Sequence, residues 1–188
     1  MGEIPTQAKR VFKGQIFDVY QWEQEMYDGT KEIFEKLRRS YTVEIIATTP
    51  EGKIIIQRQE QPDSDIAFLS LVGGRIEEGE DPLEAAHREM LEETGYASEL
   101  WTHLDTYDGS NKVDWKNFIY AARNCEKISE QHLDPGERIE VLFVTFDEFI
   151  ELVDSHQLKR VCETIREKCI RAKYDPASRE AFYRMIYG

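Results

Sequence analysis

The 188-residue chain is predicted to be an α+β protein with a mixed β-sheet. Two hairpin-like regions come first, a helix with clear start and stop signals follows a pair of glycines, and further strands and helices complete the chain. We expect two parts: an N-terminal β-hairpin subdomain, residues 1–40, and a main domain with C-terminal helices, residues 41–188.

The N-terminal part is predicted to form an antiparallel hairpin. Its strands, FDVYQWEQEMY and EIFEKL, are separated by the turn residues DGT. Charged and apolar residues alternate along both strands, which predicts one solvated face. A second hairpin, TVEIIATTPEGKIIIQRQE, is richer in isoleucine and is therefore expected to be more buried. A further strand, IAFLSLVGG, ends in two glycines.

The helix after these glycines is predicted to begin at Asp81, which is a suitable N-cap. Pro82 occupies the first helical position, and Glu84 completes a capping box. Gly95 stops the helix. Beyond it, SELWTHLDTYD and WKNFIYAARN are strand-like, a loop and a strand precede a short helix, and the last two helices are LKRVCETIREKCIRAKY and ASREAFYRMIY.

Composition limits the classes of partner. The formal net charge of −13 argues against general affinity for nucleic acids and anionic membranes, so neither is expected as a partner. The charge fits a requirement for divalent cations, but acidity that serves solubility alone is the alternative. The three cysteines form no CxxC pattern, which indicates reduced thiols and a cytoplasmic location. No apolar run reaches the length of a bilayer span, and the N-terminus lacks the apolar core of a signal peptide.

Three carboxylates are predicted to converge on one face of the central helix. At about 100° per residue, Glu89, Glu92 and Glu93 lie at i, i+3 and i+4, away from the apolar side. Such a cluster attracts hard divalent cations, which prefer oxygen ligands. The alternative is a solvated acidic face that Arg88 orients and partly offsets. The preceding glycines favour a metal site, because they allow close backbone approach and one of their carbonyls is a further oxygen ligand.

The segment from Gly74 to Tyr96 resembles the signature of the Nudix hydrolases, G-x5-E-x7-R-E-U-x-E-E-x-G-U, in which U is apolar. The fixed positions of the signature are all present: Gly74, Glu80, Arg88, Glu89, Glu92, Glu93 and Gly95. Only Tyr96 is a slightly polar occupant of its apolar position. The resemblance implies an α/β/α sandwich, with a mixed sheet between helices, and an enzyme that hydrolyses a nucleoside diphosphate linked to another group.

The resemblance also implies roles for individual residues. Glu89, Glu92 and Glu93 would bind Mg²⁺, for which Mn²⁺ can substitute, together with a main-chain carbonyl at Gly73. Glu92 and Glu93 are also assigned to catalysis. The residues with a structural role in the motif would be Gly74, Glu80, Arg88 and Gly95, with Glu80 and Arg88 bracing the loop and the helix. Bound metal would neutralise the diphosphate and activate the attacking water.

Beyond the motif, the chain resembles the ADP-ribose pyrophosphatase group. In that group an N-terminal β-subdomain contributes to a homodimer, and both chains line the substrate site. A loop glutamate before a late strand serves there as catalytic base or as an additional metal-site group; Glu137 is the best match and Glu140 is the alternative. The implied substrate is a small nucleotide, with ADP-ribose or a related nucleoside diphosphate sugar as the first choice.

Substrate contacts are predicted from residue type and position. Tyr20 and Trp22 in the first hairpin are candidates for stacking on a base, although aromatic residues in strands also serve packing. Arg39 and Arg58 are candidates for phosphate contacts, and Arg39 is expected to act from a neighbouring chain.

Three departures from the ADP-ribose pyrophosphatase group leave the substrate open. Gln59-Glu60-Gln61 lacks the arginine usual after the second core strand, Ser70–Gly74 lacks the usual acidic residue and proline, and YDGSNKVDW lacks a proline. Nucleoside triphosphates and dinucleoside polyphosphates are therefore alternative substrates. A Nudix fold that senses a nucleotide without cleaving it is a further alternative. The net acidity argues against RNA as a substrate.

Overall fold

The structure is a computed structural model that describes residues 3–62, 66–109 and 111–188. The strands in this part of the chain are β1 (Lys9–Lys13), β2 (Asp18–Glu25), β3 (Lys31–Arg38), β4 (Thr42–Thr48), β5 (Ile54–Glu60), β6 (Phe68–Ser70), β7 (Tyr96–Ala97), β8 (Leu100–Asp108), β9 (Val113–Asp114), β10 (Lys116–Arg123), β11 (Glu126–Lys127), β12 (Arg138–Val144) and β13 (Leu158–Arg160). The helices are α1 (Pro82–Thr94), α2 (Phe146–Asp154), α3 (Glu163–Tyr174) and α4 (Pro176–Tyr187).

The N-terminal strands form a sheet of their own, in the order β1-β2-β3-β9. The first three strands are antiparallel neighbours, and the short strand β9, which comes from the main part of the chain, lies parallel to β3. Arg38 fastens this sheet to the main part of the chain, because its side chain forms a salt bridge of 2.7 Å with Asp114, whose side chain is buried.

The main sheet has seven strands, six of them in the order β13-β6-β5-β4-β10-β8, while β12 pairs with β5. The pairs β10–β4 and β13–β6 are parallel and the other pairs are antiparallel, so the sheet is mixed. The central strand β4 is built from TVEIIAT, and most of its side chains are buried on both faces. Isoleucine and valine suit such a doubly covered strand.

Helices cover both faces of the main sheet. Helix α1 packs on one face through Ala85, Ala86 and Met90. Helices α2, α3 and α4 pack on the other face, where Phe149 and Ile165 are fully buried. This arrangement confirms the predicted α+β class and the α/β/α sandwich with a mixed sheet.

Two local predictions differ from the structure. The segment Leu158–Arg160 was predicted as the start of a helix, but it is strand β13, because it pairs with strand β6 at the edge of the main sheet. Helix α3 therefore begins at Glu163. Asp81 caps α1 as predicted, but its side chain accepts a hydrogen bond of 2.8 Å from the amide of Leu83 rather than closing a capping box with Glu84.

Strands β4 and β5 separate at one end of the sheet. They pair only at Ala47 and Thr48. Further along β4, the amides of Ile45 and Val43 donate instead to the carbonyls of Val72 and Gly74, at 2.9 and 3.0 Å. The loop after β6 is thereby inserted beside β4, and a cavity opens at this end of the sheet.

Candidate active site

The cavity has a volume of about 1160 Å³, which is ample for a nucleotide-sized ligand. Its lining comes from the diverging ends of β4 and β5, the glycine loop after β6, one face of α1, the loop before β12 and the segment between β13 and α3. The predicted metal-site residues Gly73, Glu89, Glu92 and Glu93 all line this cavity.

Glu93 is the most deeply placed of the three helix carboxylates, with only 5% of its surface exposed. Its Oε2 accepts hydrogen bonds from Gln57 Nε2 at 2.8 Å and from the Gly73 amide at 3.1 Å. Burial raises the pKa of Glu93 to about 8, and the negative charge of Glu89 adds to this shift, while the two hydrogen bonds oppose it. Such a carboxyl is costly to ionise unless a cation compensates for its charge.

Arg88 engages the other two carboxylates. Its Nη1 donates to Glu89 Oε1 at 2.9 Å and to Glu92 Oε2 at 3.0 Å. Burial raises the pKa of Glu89, and Arg88 partly offsets this shift. The side chain of Glu92 is 44% exposed, so Glu92 is the most accessible carboxylate of the three.

Arg88 also braces the loop in front of α1. Its Nε and Nη2 donate to the two carboxylate oxygens of Glu80 at 2.9 and 3.0 Å, and Nη2 donates to the Arg75 carbonyl at 2.9 Å. The hydrogen bonds from Arg88 lower the pKa of Glu80. A planar guanidinium suits this bidentate contact.

The two glycines permit contacts that no larger residue would allow. Gly73 has φ +152°, and a Cβ atom there would lie 2.2 Å from the Val43 carbonyl oxygen. A Cβ atom on Gly74 would lie 2.3 Å from the carboxylate of Glu89. The missing side chain at Gly73 therefore lets the loop lie against strand β4, and the missing side chain at Gly74 lets Glu89 approach the loop.

The donor set suits a hard divalent cation. It consists of carboxylate oxygens and main-chain oxygen, the ligands that Mg²⁺ prefers. The carbonyls of Val72 and Gly74 accept hydrogen bonds from β4, whereas the carbonyl of Gly73 between them has no donor among the described residues. As placed, however, no three His, Cys, Asp or Glu side chains in the described ranges are grouped as metal ligands. Glu89 and Glu92 are directed towards Arg88 instead.

The structure distinguishes the two candidate loop glutamates. Glu137 lines the cavity, and its charge acts on both Glu89 and Glu93. Its Oε2 accepts from the Asp134 amide at 3.2 Å. Glu140 instead lies on strand β12 and forms an exposed salt bridge of 2.8 Å with Arg58. Glu137 is therefore the residue positioned beside the helix carboxylates.

Three predicted substrate contacts do not lie in the cavity of this chain. Arg58 points to the opposite face of β5 from Gln57, because neighbouring strand residues alternate in direction, and it pairs with Glu140. Trp22 is 8% exposed and packs against Phe34 in the N-terminal sheet. Tyr20 lies in the same sheet, where the Arg38 guanidinium covers its ring at 4.9 Å.

Arg39 does line the cavity of its own chain. Its guanidinium lies 5.5 Å from the ring of Trp115 and 5.8 Å from the ring of Phe17. Its Nε is buried and has no hydrogen-bond partner among the described residues. Burial lowers the pKa of Arg39, and the charges of Arg75 and Arg160 lower it further. An unpaired buried N–H of this kind is energetically costly, and an acceptor atom of a ligand would remove that cost.

Sequence reasoning missed a polar row along the cavity. Glu44 accepts from the Asn117 side chain at 3.1 Å and from the Cys162 amide at 3.1 Å. Asn117 in turn accepts from Thr42 Oγ1 at 2.9 Å, and Thr42 accepts from Trp115 Nε1 at 3.1 Å. Burial raises the pKa of Glu44 to about 6. In the sequence, Glu44 is the lone carboxylate inside the apolar run TVEIIAT, and this position was the available signal for a polar site.

Gln57 was also missed. It is fully buried, donates to Glu93, and accepts a hydrogen bond of 2.5 Å from Gln59. A glutamine that follows three consecutive isoleucines was the signal that this position faces something polar.

Comparison with known proteins agrees with the fold and with the motif. The family model of the NUDIX domain matches residues 38–163, which is more than half of the chain. The chain therefore belongs to the Nudix family and is a Nudix hydrolase, as predicted. No helix in the described part of the chain is both long enough and apolar enough to cross a bilayer.

Individual proteins within this comparison are similar to the chain over most of its length. The chain is 30% identical to the ADP-ribose pyrophosphatase of Bacillus subtilis (strain 168) over 159 residues, 83% of this chain and 86% of that protein. It is 27% identical to the methanol dehydrogenase activator of Bacillus methanolicus over 158 residues, 83% of this chain and 85% of that protein. A crystal structure of an ADP compounds hydrolase shares the fold, with a TM-score of 0.73 and 19% identity, over 95% of this chain and 97% of that one.

Proposed function

We propose that this Nudix hydrolase cleaves the diphosphate bond of ADP-ribose or a related nucleoside diphosphate sugar, and that it requires Mg²⁺, for which Mn²⁺ can substitute. The observation that carries the proposal is the meeting of Glu89, Glu92 and Glu93 with the glycine loop in one large cavity. Similarity to an ADP-ribose pyrophosphatase over 83% of the chain supports the choice of substrate.

The helix carboxylates and the Gly73 carbonyl would hold the metal. When bound, Mg²⁺ would offset the charge of the diphosphate and favour ionisation of the attacking water. Glu93 has the lowest exposure and the most restrained position, so it would fix the site, while Glu89 and Glu92 would adjust by leaving Arg88. Arg88 would then remain as the brace between helix and loop, through its paired contacts with Glu80.

Glu137 is proposed as the general base. It would accept a proton from the water while the water oxygen bonds to phosphorus and the bridging P–O bond breaks, leaving two phosphate monoesters. Its position beside the helix carboxylates supports this role. Glu140 is less suited, because Arg58 already neutralises it on an exposed surface. Arg39 is proposed as a phosphate contact, because its buried Nε lacks an acceptor within the described chain.

The N-terminal sheet, within the proposed subdomain of residues 1–40, is proposed to form a homodimer contact. Val11, Phe12 and Ile33 on its outer strands are 54%, 59% and 64% exposed, which is unusual for large apolar residues on a small sheet. Tyr20 lies outside the cavity of its own chain, so it could reach the base of a substrate only across such a dimer contact. Trp22 is already packed inside its own sheet. The three cysteines are free and buried, which supports the proposed cytoplasmic location.

A substrate panel tests the proposal. ADP-ribose, other nucleoside diphosphate sugars, dinucleoside polyphosphates and nucleoside triphosphates would be incubated with Mg²⁺ or with chelator, and the products separated by chromatography. We expect Mg²⁺-dependent release of AMP from ADP-ribose. Cleavage of nucleoside triphosphates alone would support the proposed metal site but would contradict ADP-ribose or a related sugar nucleotide as the substrate. Tight binding of ADP-ribose without cleavage of any compound would support a nucleotide sensor instead.

A further inference from the structure

The lining of the cavity includes an unusual set of cations. Besides Arg88, four basic side chains line the cavity: Arg39, Arg75, Lys159 and Arg160. In a chain with a net charge of −13, basic side chains have many carboxylates available to them. Yet none of these four forms a salt bridge with a carboxylate among the described residues. We call this set the basic wall.

The cations of the basic wall are close enough to affect one another, because the charges of Arg75 and Arg160 act on Arg39. Arg160 is held in place by a hydrogen bond of 2.9 Å to Gln61 and by the ring of Phe68, 4.5 Å from its guanidinium. Arg39 is held between two aromatic rings. Two cations of the basic wall, Arg39 and Arg160, are therefore held in position by contacts with neighbouring side chains.

Structural roles do not account for the wall. Gathering like charges costs free energy, and a fold that needed only to brace its loops would pair them with carboxylates, as Arg88 is paired with Glu80. The orphaned Nε of Arg39 adds a second unfavourable feature at the same place. Both features become favourable when an anion with several acceptor oxygens enters the cavity.

We propose that the basic wall binds an anionic group that the substrate carries in addition to its diphosphate, so that preferred substrates are phosphorylated or carboxylated nucleoside diphosphate sugars. The inference rests on the proposed function. A diphosphate diester carries two negative charges at neutral pH, while a divalent cation would compensate mainly for the helix carboxylates that hold it. The four cations of the basic wall therefore carry two more positive charges than the diphosphate carries negative ones.

Three matched compounds test the inference: ADP-ribose, ADP-ribose 1″-phosphate and ADP-ribose 2′-phosphate. They share one core, and the added phosphate lies on the distal ribose in the first derivative and on the adenosine ribose in the second. Dissociation constants would be measured by equilibrium dialysis in chelator, where no turnover is expected. Values of kcat/KM would be measured with Mg²⁺ at low and at high salt.

The variant removes two exposed cations together, Lys159→Gln and Arg160→Gln. The control removes two exposed cations outside the cavity, Arg171→Gln and Arg184→Gln, and therefore changes the net charge equally. We expect wild type and control to prefer one phosphorylated derivative over ADP-ribose by about tenfold, with a smaller preference at high salt. The cavity variant should bind all three compounds within about twofold of one another. Thermal unfolding would verify that both variants are folded. If the cavity variant is not folded, the two single substitutions are measured in its place.

Each outcome of these measurements supports or overturns the proposed anion site. The derivative that is preferred identifies which end of the substrate meets the wall. Equal binding of the three compounds by wild type, or a preference that survives in the cavity variant, overturns the inference and leaves the wall as a diphosphate contact. A preference in binding without any Mg²⁺-dependent cleavage rejects the proposed hydrolysis but upholds the anion site. No binding of any of the three compounds in chelator, together with no cleavage of any of them with Mg²⁺, rejects both.

Discussion

Replacing Glu93 by glutamine should stabilise the protein and remove most of its activity. Glu93 is 5% exposed in the folded chain. Burial raises the pKa of Glu93 to about 8, from an ordinary value of 4.5. Between these two pH values the folded protein holds the proton more tightly than the unfolded chain does. The free energy of unfolding therefore falls as the pH rises through this window.

The magnitude follows from the shift in pKa. One pKa unit corresponds to about 1.4 kcal/mol, so at neutral pH the carboxyl destabilises the fold by roughly 3 kcal/mol. Glutamine is neutral at every pH, and its amide oxygen can still accept from Gln57 or from the Gly73 amide. In a protein of this size the variant should unfold about 6–12 °C above wild type at neutral pH without divalent metal. It should also lack the decline in stability with rising pH.

Thermal unfolding in chelator at a series of pH values measures this effect, with Glu99→Gln as a control because Glu99 is exposed on the surface. The variant should lose activity on the order of a thousandfold, since a metal ligand supplies several kcal/mol to the transition state. Mg²⁺ should raise the unfolding temperature of wild type more than that of the variant. A variant that unfolds below wild type at neutral pH in chelator would refute the reasoning about burial.

Four further substitutions test other parts of the proposed site and of the proposed dimer. Gly74→Ala should reduce kcat by about a hundredfold in a steady-state assay, because its Cβ would lie 2.3 Å from the carboxylate of Glu89; unchanged kcat would mean that this contact is not needed. Glu137→Gln should lower kcat more than it raises KM, whereas Glu140→Gln should change neither by more than about twofold, and the reverse pattern would exchange their roles. Phe12→Asp should convert a dimer into a monomer in analytical ultracentrifugation, since Phe12 is 59% exposed on the N-terminal sheet; an unchanged sedimentation coefficient would place the contact elsewhere.

The helix and its carboxylates could be predicted because their signals are local. Asp81 and Gly95 mark its ends, and the spacing of Glu89, Glu92 and Glu93 sets their common face. The direction of the carboxylate side chains could not be predicted in the same way. It depends on Arg88, which donates to Glu89 and Glu92, and on Gln57, which donates to Glu93 from a distant strand.

The cavity walls depend on long-range pairing, and for that reason the sequence did not reveal them. Lys159 and Arg160 reach the cavity because their segment pairs with β6 instead of continuing as helix. Glu44 reaches it because β4 separates from β5 at that point. Arg58 was a candidate phosphate contact, whereas the structure places it on the face of β5 opposite to Gln57 and Gln59, because neighbouring strand residues alternate in direction.

The proposed function requires metal-dependent chemistry at the acidic face of α1. The most direct measurement is the initial rate of ADP-ribose hydrolysis by the wild-type protein as Mg²⁺ is titrated into chelator-treated enzyme. We predict no AMP release without the metal and a saturable rise in rate as Mg²⁺ is added. A rate that is the same with Mg²⁺ and with excess chelator would contradict the account.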